Sequence, residues 1–215
     1  MGAAPAGRRI INRSSVSPDK IETAAPQVNY GEEENDQSEG FSPDVVSWNA
    51  LIGGFAQQGQ AKEALDSFQG MQEEGIPPDA ITFINVLNAC SLSGLEDEGQ
   101  MYFDNMKEKY GIAPDKQHYA CMVDLFGRAR AFDKAMRVIE MMPASDYLPV
   151  WSALLGACKK WGNLRLGRLA FERAIQLDGS DAAAYVLMRQ IYAAAGMLEE
   201  AQNIDHMRMK NVAWK

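Results

Sequence analysis

The sequence predicts an all-α fold, an α-solenoid of about five helix-turn-helix repeats that begins near residue 45 and continues to residue 215. Three landmarks recur along this stretch, each with spacings of 35, 36, 32 and 34 residues. A fixed period of this length is the signature of a repeat architecture. The landmarks are an aromatic residue (Trp48, Phe83, Tyr119, Trp151, Tyr185), an inter-helix turn (Gly59, Gly94, Arg130, Gly162, Gly196) and a small residue in the helix that follows (Ala64, Gly99, Ala135, Gly167, Ala201).

Each repeat is predicted to contain two amphipathic helices. In the first helix of the first repeat, Leu51, Ile52 and Phe55 follow the aromatic Trp48 at positions i+3, i+4 and i+7. This spacing places the apolar side chains on one face of a 3.6-residue period, so we expect the aromatic landmarks to form the core. The second helix also has apolar residues at a helical spacing, at positions i, i+1, i+4 and i+7 over residues 64–71. A pair of such helices buries its apolar faces only by stacking on neighbouring pairs.

The helix boundaries carry signals of their own. Glycine at four of the five turns permits the positive φ that often ends a helix, so Arg130 at the third turn predicts strain there. Proline blocks continuation of the preceding helix at two joints between repeats, where Asp79 follows Pro78 and Asp115 follows Pro114. We expect each aspartate to cap the helix that follows it.

The two ends of the chain differ from the repeats between them. Residues 1–44 contain an acidic run at 31–36, several prolines and no helical apolar stripe, so we expect a disordered acidic tail. Residues 1–18 have three Arg, three Ser and no acidic residue, which fits either an organelle transit segment or a leader without an address. The last helix is polar at three positions that are apolar in the first repeat, as the exposed end of a solenoid requires. These residues are Gln202, Asp205 and Arg208.

Composition argues against several classes of protein. The net charge of −8 argues against holding nucleic acid by bulk electrostatics alone, with residues 45–115 net negative (−8) and residues 116–215 net positive (+4). No apolar run approaches the ~18 residues of a membrane span, so we expect no membrane partner. The cysteines are far apart and resemble neither a disulfide framework nor a zinc site, which indicates a reducing compartment. We expect Cys90, Cys121 and Cys158 to be small core residues.

Five consecutive segments resemble the repeats of one family. The first, VVSWNALIGGFAQQGQAKEALDSFQGMQEEGIPPD, closely resembles the 35-residue pentatricopeptide repeat, and the next two resemble its longer and shorter variants. This order is that of the plant subclass with alternating repeat lengths. The last two segments resemble the extension motifs that end such proteins and are also similar to tetratricopeptide repeats. The expected boundaries are 45–79, 80–115 and 116–147 for the three pentatricopeptide-type repeats of residues 45–147, then 148–181 and 182–215 for the two tetratricopeptide-like repeats of residues 148–215.

The resemblance implies a single-stranded RNA-binding adaptor of organelle RNA metabolism, in the mitochondrion or chloroplast, which recognises a site for cytidine-to-uridine editing. In the family, the fifth and last residues of a repeat read one base, and in the first repeat these are Asn49 and Asp79. An Asn/Asp pair resembles the combination that prefers uridine. The simpler interpretations are a surface asparagine and a helix-capping aspartate, and Asp79 could serve both roles. The pairs that do not fit this code are Ile84 with Asp115 and Ala120 with Tyr147.

The sequence carries no motif for catalysis or for binding a metal or cofactor. Related proteins often continue into a zinc-dependent cytidine deaminase domain, which needs a His-x-Glu and a Cys-x-x-Cys motif. Neither His118 nor His206 begins a His-x-Glu motif, and no two cysteines are close in sequence. We therefore expect no enzyme and no small-molecule substrate, with a deaminase or editing-factor protein docked on residues 148–215. The alternative is a helical-repeat scaffold for protein–protein contacts, which the net negative charge favours over RNA binding.

Overall fold

The computed structural model describes residues 43–143 and 146–212, which form ten α-helices and no β-strand in these ranges. The tail expected for residues 1–44 lies outside the described residues except for its last two positions. None of the described helices combines the length and apolar character needed to cross a membrane. The helices are α1 (Val45–Gln57), α2 (Ala61–Glu73), α3 (Ala80–Ser93), α4 (Glu96–Glu108), α5 (Lys116–Arg128), α6 (Phe132–Met141), α7 (Leu148–Trp161), α8 (Leu164–Leu177), α9 (Ala182–Ala194) and α10 (Leu198–Val212).

The helices form two rows. The odd-numbered helices α1 to α9 pack side by side as a first row, and each even-numbered helix packs against the odd-numbered helix before it. Hydrogen bonds join the first turns of α1 and α3, and others join the last turns of α5 and α7, so neighbouring first-row helices run in the same direction. Within the described residues, the helices that pack extensively against each other are neighbours along the stack. This arrangement confirms the predicted all-α solenoid.

Aspartate caps begin several of the first-row helices. Asp79 and Asp115, both predicted caps, accept backbone hydrogen bonds at the start of α3 and α5 and form capping boxes with Thr82 and His118. The helix α7 begins differently, because its N-cap residue Tyr147 makes no side-chain capping bond. These caps satisfy backbone N–H groups that have no partner within their own helix.

The aromatic landmarks form the core with one exception. Phe83, Tyr119, Trp151 and Tyr185 are buried. Trp48 is only half-buried, because α1 packs against α2 and α3 and against no other described helix. Its indole N–H has no hydrogen-bond partner among the described residues. Trp48 therefore packs against the hydrophobic core at its edge, whereas the other four aromatic landmarks lie inside it.

The turn between α5 and α6 has the strain that the sequence predicted. Arg130 has a φ of 63° and is the one non-glycine residue with positive φ in the described part of the chain. The turns at Gly59 and Gly94 have φ of 73° and 70° without a side chain to clash. A residue with a Cβ in this left-handed region costs roughly 1–2 kcal/mol relative to its preferred conformations.

Replacing Arg130 with glycine is expected to raise the free energy of unfolding by about 1 kcal/mol, because it relieves this strain. Urea denaturation followed by circular dichroism measures the change. Ala129→Gly is the matched control, since Ala129 has a right-handed φ of −77° and glycine there only adds freedom to the unfolded chain. Equal destabilisation by both substitutions would show that the turn is unstrained.

Adjacent first-row helices approach closely where small residues face each other. A Cβ added to Gly127 on α5 would lie 2.7 Å from the Cβ of Ala157 on α7. The indole N–H of Trp161 donates to the carbonyl of Gly127 at 3.0 Å, at the same end of these helices. Gly127 is therefore required for the spacing between α5 and α7.

One buried cysteine lies on each of α3, α5 and α7, as the sequence predicted. Cys90 and Cys158 are fully buried, and Cys121 is nearly so. Burial raises the pKa of each of the three thiols to about 12, so they are protonated and weakly reactive at neutral pH. The described residues contain no group of three or more His, Cys, Asp or Glu side chains that could hold a metal ion.

Candidate functional site

The two predicted site residues, Asn49 and Asp79, are in direct contact. Asn49 lies near the start of α1, and its Nδ2 donates a hydrogen bond to Oδ1 of Asp79 at 3.0 Å. Asp79 is also the N-cap of α3, which confirms the capping interpretation of this residue. The side-by-side packing of α1 and α3 brings these residues together across 30 positions of sequence.

Thr82 completes this contact and was missed by the sequence analysis. Its Oγ1 lies 2.6 Å from Oδ1 of Asn49 and 2.9 Å from Oδ1 of Asp79, and it accepts the backbone N–H of Asp79 at 3.0 Å. The single hydroxyl proton can serve only one of the two oxygens at a time. A threonine three residues after an aspartate indicates a helix cap. The neighbouring sequence does not indicate that this threonine also bonds to Asn49 on α1. We call Asn49, Asp79 and Thr82 the polar junction.

Asn49 is more buried than its position beside the apolar stripe indicated. The residue is 9% exposed, and its backbone carbonyl accepts a hydrogen bond from Nδ2 of Asn85 at 2.9 Å. A neutral amide has two N–H donors and two acceptor lone pairs. Asp79 and Thr82 occupy one of each, which leaves one donor and one acceptor of Asn49 for another ligand.

Two exposed aliphatic side chains flank the polar junction. Val46 is 68% exposed and lies one turn before Asn49 on α1, while Ile81 is 57% exposed and lies two residues after Asp79 on α3. Each is the second residue of its helix. Aliphatic surface beside hydrogen-bonding groups of fixed orientation suits a flat ligand that has apolar faces and a polar rim.

The corresponding junction between α3 and α5 has no amide. Ile84 occupies the position of Asn49 and packs against the core, and the fully buried His118 replaces the threonine. One ring nitrogen of His118, Nδ1, lies 2.6 Å from Oδ1 of Asp115, and the other, Nε2, lies 2.9 Å from the carbonyl oxygen of Ala80. These contacts fix His118 as part of the helix packing.

The third pair, Ala120 and Tyr147, also lacks an amide. Ala120 is partly buried against the core, and its methyl group cannot form a hydrogen bond. The ammonium group of Lys116 lies 5.0 Å from the centroid of the Tyr147 ring, within the range of a cation–π contact. The polar junction at α1 and α3 is therefore the one of the three predicted pairs with both an amide and a carboxylate.

Hydrogen bonds keep the carboxyl group of Asp79 ionised. Burial alone would raise its pKa, but hydrogen bonds from the backbone N–H of Thr82, the amide of Asn49 and the hydroxyl of Thr82 outweigh this effect and hold the pKa below its usual value. The same balance of burial against hydrogen bonds from His118 lowers the pKa of Asp115. The polar junction therefore contains a carboxylate anion at neutral pH.

Replacing Asp79 with asparagine is expected to flatten the loss of stability in acid. Because the pKa of Asp79 is lower in the folded state than the unfolded value of about 3.9, the ionised carboxylate stabilises the fold above pH ~4, and this contribution disappears as the pH falls through the folded value. Thermal melts between pH 6 and pH 2.5 measure the effect. Asp66→Asn, at an exposed carboxylate on α2, controls for the loss of one charge. Parallel curves for the wild type and Asp79→Asn would contradict the expectation.

Comparisons with known proteins match the part of the chain that contains the polar junction. A model of the PPR repeat family matches residues 43–92, and a PPR repeat model matches 81–110 and 118–147. A pentatricopeptide repeat-containing protein of Arabidopsis thaliana is 44% identical over 170 residues, which are 79% of this chain and 24% of that protein. The chain belongs to the pentatricopeptide repeat family.

A second pentatricopeptide repeat-containing protein of Arabidopsis thaliana has the word mitochondrial in its name. It is 41% identical over 166 residues, which are 77% of this chain and 27% of that protein. This pentatricopeptide repeat chain thus spans about a quarter of the length of these two relatives.

Solved structures share the fold of this pentatricopeptide repeat chain. The pentatricopeptide repeat protein PPR10, crystallised in complex with an 18-nt RNA element, superposes with a TM-score of 0.71 over 81% of this chain and 26% of its own, at 21% identity. Nuclear proteinaceous RNase P 2 of A. thaliana superposes with a TM-score of 0.57 over 77% of this chain and 38% of its own, at 16% identity. Both agree with the two-row solenoid.

Proposed function

We propose that this chain is a single-stranded RNA-binding adaptor whose polar junction reads one base and prefers uridine. The observation that carries this proposal is the hydrogen bond between Asn49 and Asp79, which joins the two positions that read a base in this family. Uracil presents a carbonyl acceptor beside an N–H donor on its pairing edge. The N–H of the Asn49 amide that Asp79 does not accept can donate to this carbonyl group.

The rest of the junction holds that amide in one orientation. Thr82 and Asp79 bond to the same edge of the amide group, so its orientation is fixed before RNA binds. Such preorganisation reduces the ordering cost of binding. Val46 and Ile81 offer exposed aliphatic surface to the faces of the same base.

The adaptor is proposed to recognise a site for cytidine-to-uridine editing in an organelle. One polar junction distinguishes one base, which is too little to select a unique site in a transcriptome. Recognition then needs further repeats or a partner protein, and the deaminase acts in trans. Residues 148–215, which resemble extension motifs, are the proposed docking region for that partner.

A protein–protein scaffold is the second candidate function. It is favoured by the exposed apolar side chains of the last two helices and by the negative charge of residues 45–115. Exposed apolar surface is a common feature of protein-binding sites. The side chains concerned are Val186, Leu198, Met207 and Met209.

The test is a binding titration with RNAs that differ only in one base, uridine or adenosine. We expect the wild type to prefer uridine by about tenfold, within the roughly 0.5–1.5 kcal/mol of one hydrogen bond. Asn49→Ala should abolish this preference, and Asn88→Ala, at an exposed asparagine on α3, should retain it. Thermal melts confirm that both variants fold.

Two outcomes would contradict the proposal. A uridine preference that persists in Asn49→Ala would show that the polar junction does not read the base. No RNA binding by the full chain at any salt concentration, together with capture of an editing-factor protein, would establish the scaffold function instead.

A further inference from the structure

Positive charge is concentrated where α5 to α8 meet at their turns. A cleft of about 490 Å³ lies between the turn that precedes α6 and the start of α8. Its charged lining residues are Arg130, Asp133, Lys134, Arg137 and Arg165, so four cations face one carboxylate. This cleft lies at the opposite end of the first-row helices from the polar junction.

Three of the four cations are available to a ligand. Lys134 is bonded to a carboxylate at the start of α4, which neutralises its charge. Arg137 and Arg165 are exposed and form no ion pair within the described residues. The guanidinium of Arg130 lies 5.8 Å from the ring centroid of Trp161, a contact that orients the group and leaves its charge uncompensated.

Trp161 connects the cleft with the first row of helices. The ammonium group of Lys160 lies 4.7 Å from the centroid of the same ring. Lys160 also lines a second cavity of about 300 Å³, which is formed by residues of α5 and α7. In that cavity Arg128 is paired with Asp124, so among its lining residues Lys160 extends the positive charge of the cleft past Trp161 onto the first row.

This charge is a local property of the chain. At the equivalent end of the second repeat, the first turn of α4 carries three acidic residues. The chain as a whole has a net charge of −8. The acidic residues are Glu96, Asp97 and Glu98.

We propose that Arg130, Arg137 and Arg165, here called the basic turn, bind phosphates of single-stranded RNA without regard to base. The inference rests on the proposed function and adds a second contact to it. Guanidinium forks match the geometry of phosphate oxygens, and positive grooves of this kind follow the backbone of single strands. RNA is favoured over an acidic protein segment because Lys160 extends the positive charge onto the row that contains the polar junction. RNA held at both places crosses the first row.

The test uses the full chain with three substitutions, Arg130→Gln, Arg137→Gln and Arg165→Gln. The matched control is Lys62→Gln, Lys107→Gln and Arg173→Gln, which removes the same charge at exposed positions on second-row helices. Fluorescence anisotropy with labelled oligouridine and oligoadenosine gives the affinity between 50 and 200 mM salt.

We expect the basic-turn variant to have a shallower salt dependence than the wild type. Each phosphate contact to a single strand contributes about 0.7 to the slope of log affinity against log salt, so the slope should fall by about 2. Between 50 and 200 mM salt, the fold-decrease in affinity should then be about 20 times smaller for the variant than for the wild type. The change should be equal for both RNAs, and the control variant should keep the wild-type slope.

The outcomes separate this inference from the proposed function. An unchanged slope with an intact uridine preference overturns the basic turn alone, whereas a reduced slope without any uridine preference supports it and overturns base reading. A wild-type chain that binds no RNA overturns both.

Binding of a polyglutamate peptide that the triple variant loses, with RNA binding unaffected, assigns the cleft to an acidic protein. Arg137→Gln with Arg165→Gln leaves the strained turn intact and should still lower the slope by more than 1.

Discussion

Trp151→Ala is expected to lower the free energy of unfolding by about 3–5 kcal/mol, as truncation of a buried aromatic side chain does. Trp151 is 4% exposed within the core of α7 and its neighbours. Removing it leaves a cavity between helices that stabilise one another. Because stability in a solenoid depends on contacts between adjacent repeats, α5 and α9 should lose hydrogen-exchange protection before α1 does.

Trp48→Ala is the matched control for this substitution. Trp48 occupies the same position in the repeat but is half-buried, and its indole N–H has no hydrogen-bond partner among the described residues. We expect it to cost about half as much as Trp151→Ala or less. Chemical denaturation measures both, and equal losses would contradict the difference in burial that the structure gives these two residues.

Gly127→Ala should destabilise the chain by about 1–3 kcal/mol, because the new methyl group collides with Ala157 and pushes α5 away from α7. Gly156→Ala on α7 is the matched control, since a Cβ there would meet no atom within 4 Å. That substitution should stabilise the chain by up to about 1 kcal/mol through the lower helix propensity of glycine. Thermal and urea denaturation distinguish the two, and a neutral Gly127→Ala would show that α5 and α7 can separate at little cost.

Much of the fold follows from the sequence because the signals that determine it are local and repeated. The 3.6-residue spacing of apolar side chains, the aspartates before α3 and α5 and the departure at Arg130 each act within a few residues. The partial burial of Trp48 has the opposite cause. Its burial depends on which helices pack against α1, and the repeat pattern carries no information about neighbours on that side.

The candidate site was predicted only in part for the same reason. The family pattern identifies Asn49 and Asp79, but the contact of Asn49 with Thr82 joins residues that are 33 positions apart. It exists only after α1 and α3 have packed together. The basic turn draws on Arg130, Arg137 and Arg165, which lie in a turn and two different helices and form no motif in sequence.

The three buried cysteines allow the opening of individual repeats to be measured in the unmodified chain. Cys90, Cys121 and Cys158 lie on α3, α5 and α7, one on each of three successive first-row helices. A thiol-specific reagent can modify each sulfur only while its helix is transiently detached, and mass spectrometry resolves the three sites in one sample. The order and rates of labelling would show which helices along the stack open most often, without any substitution in the sequence.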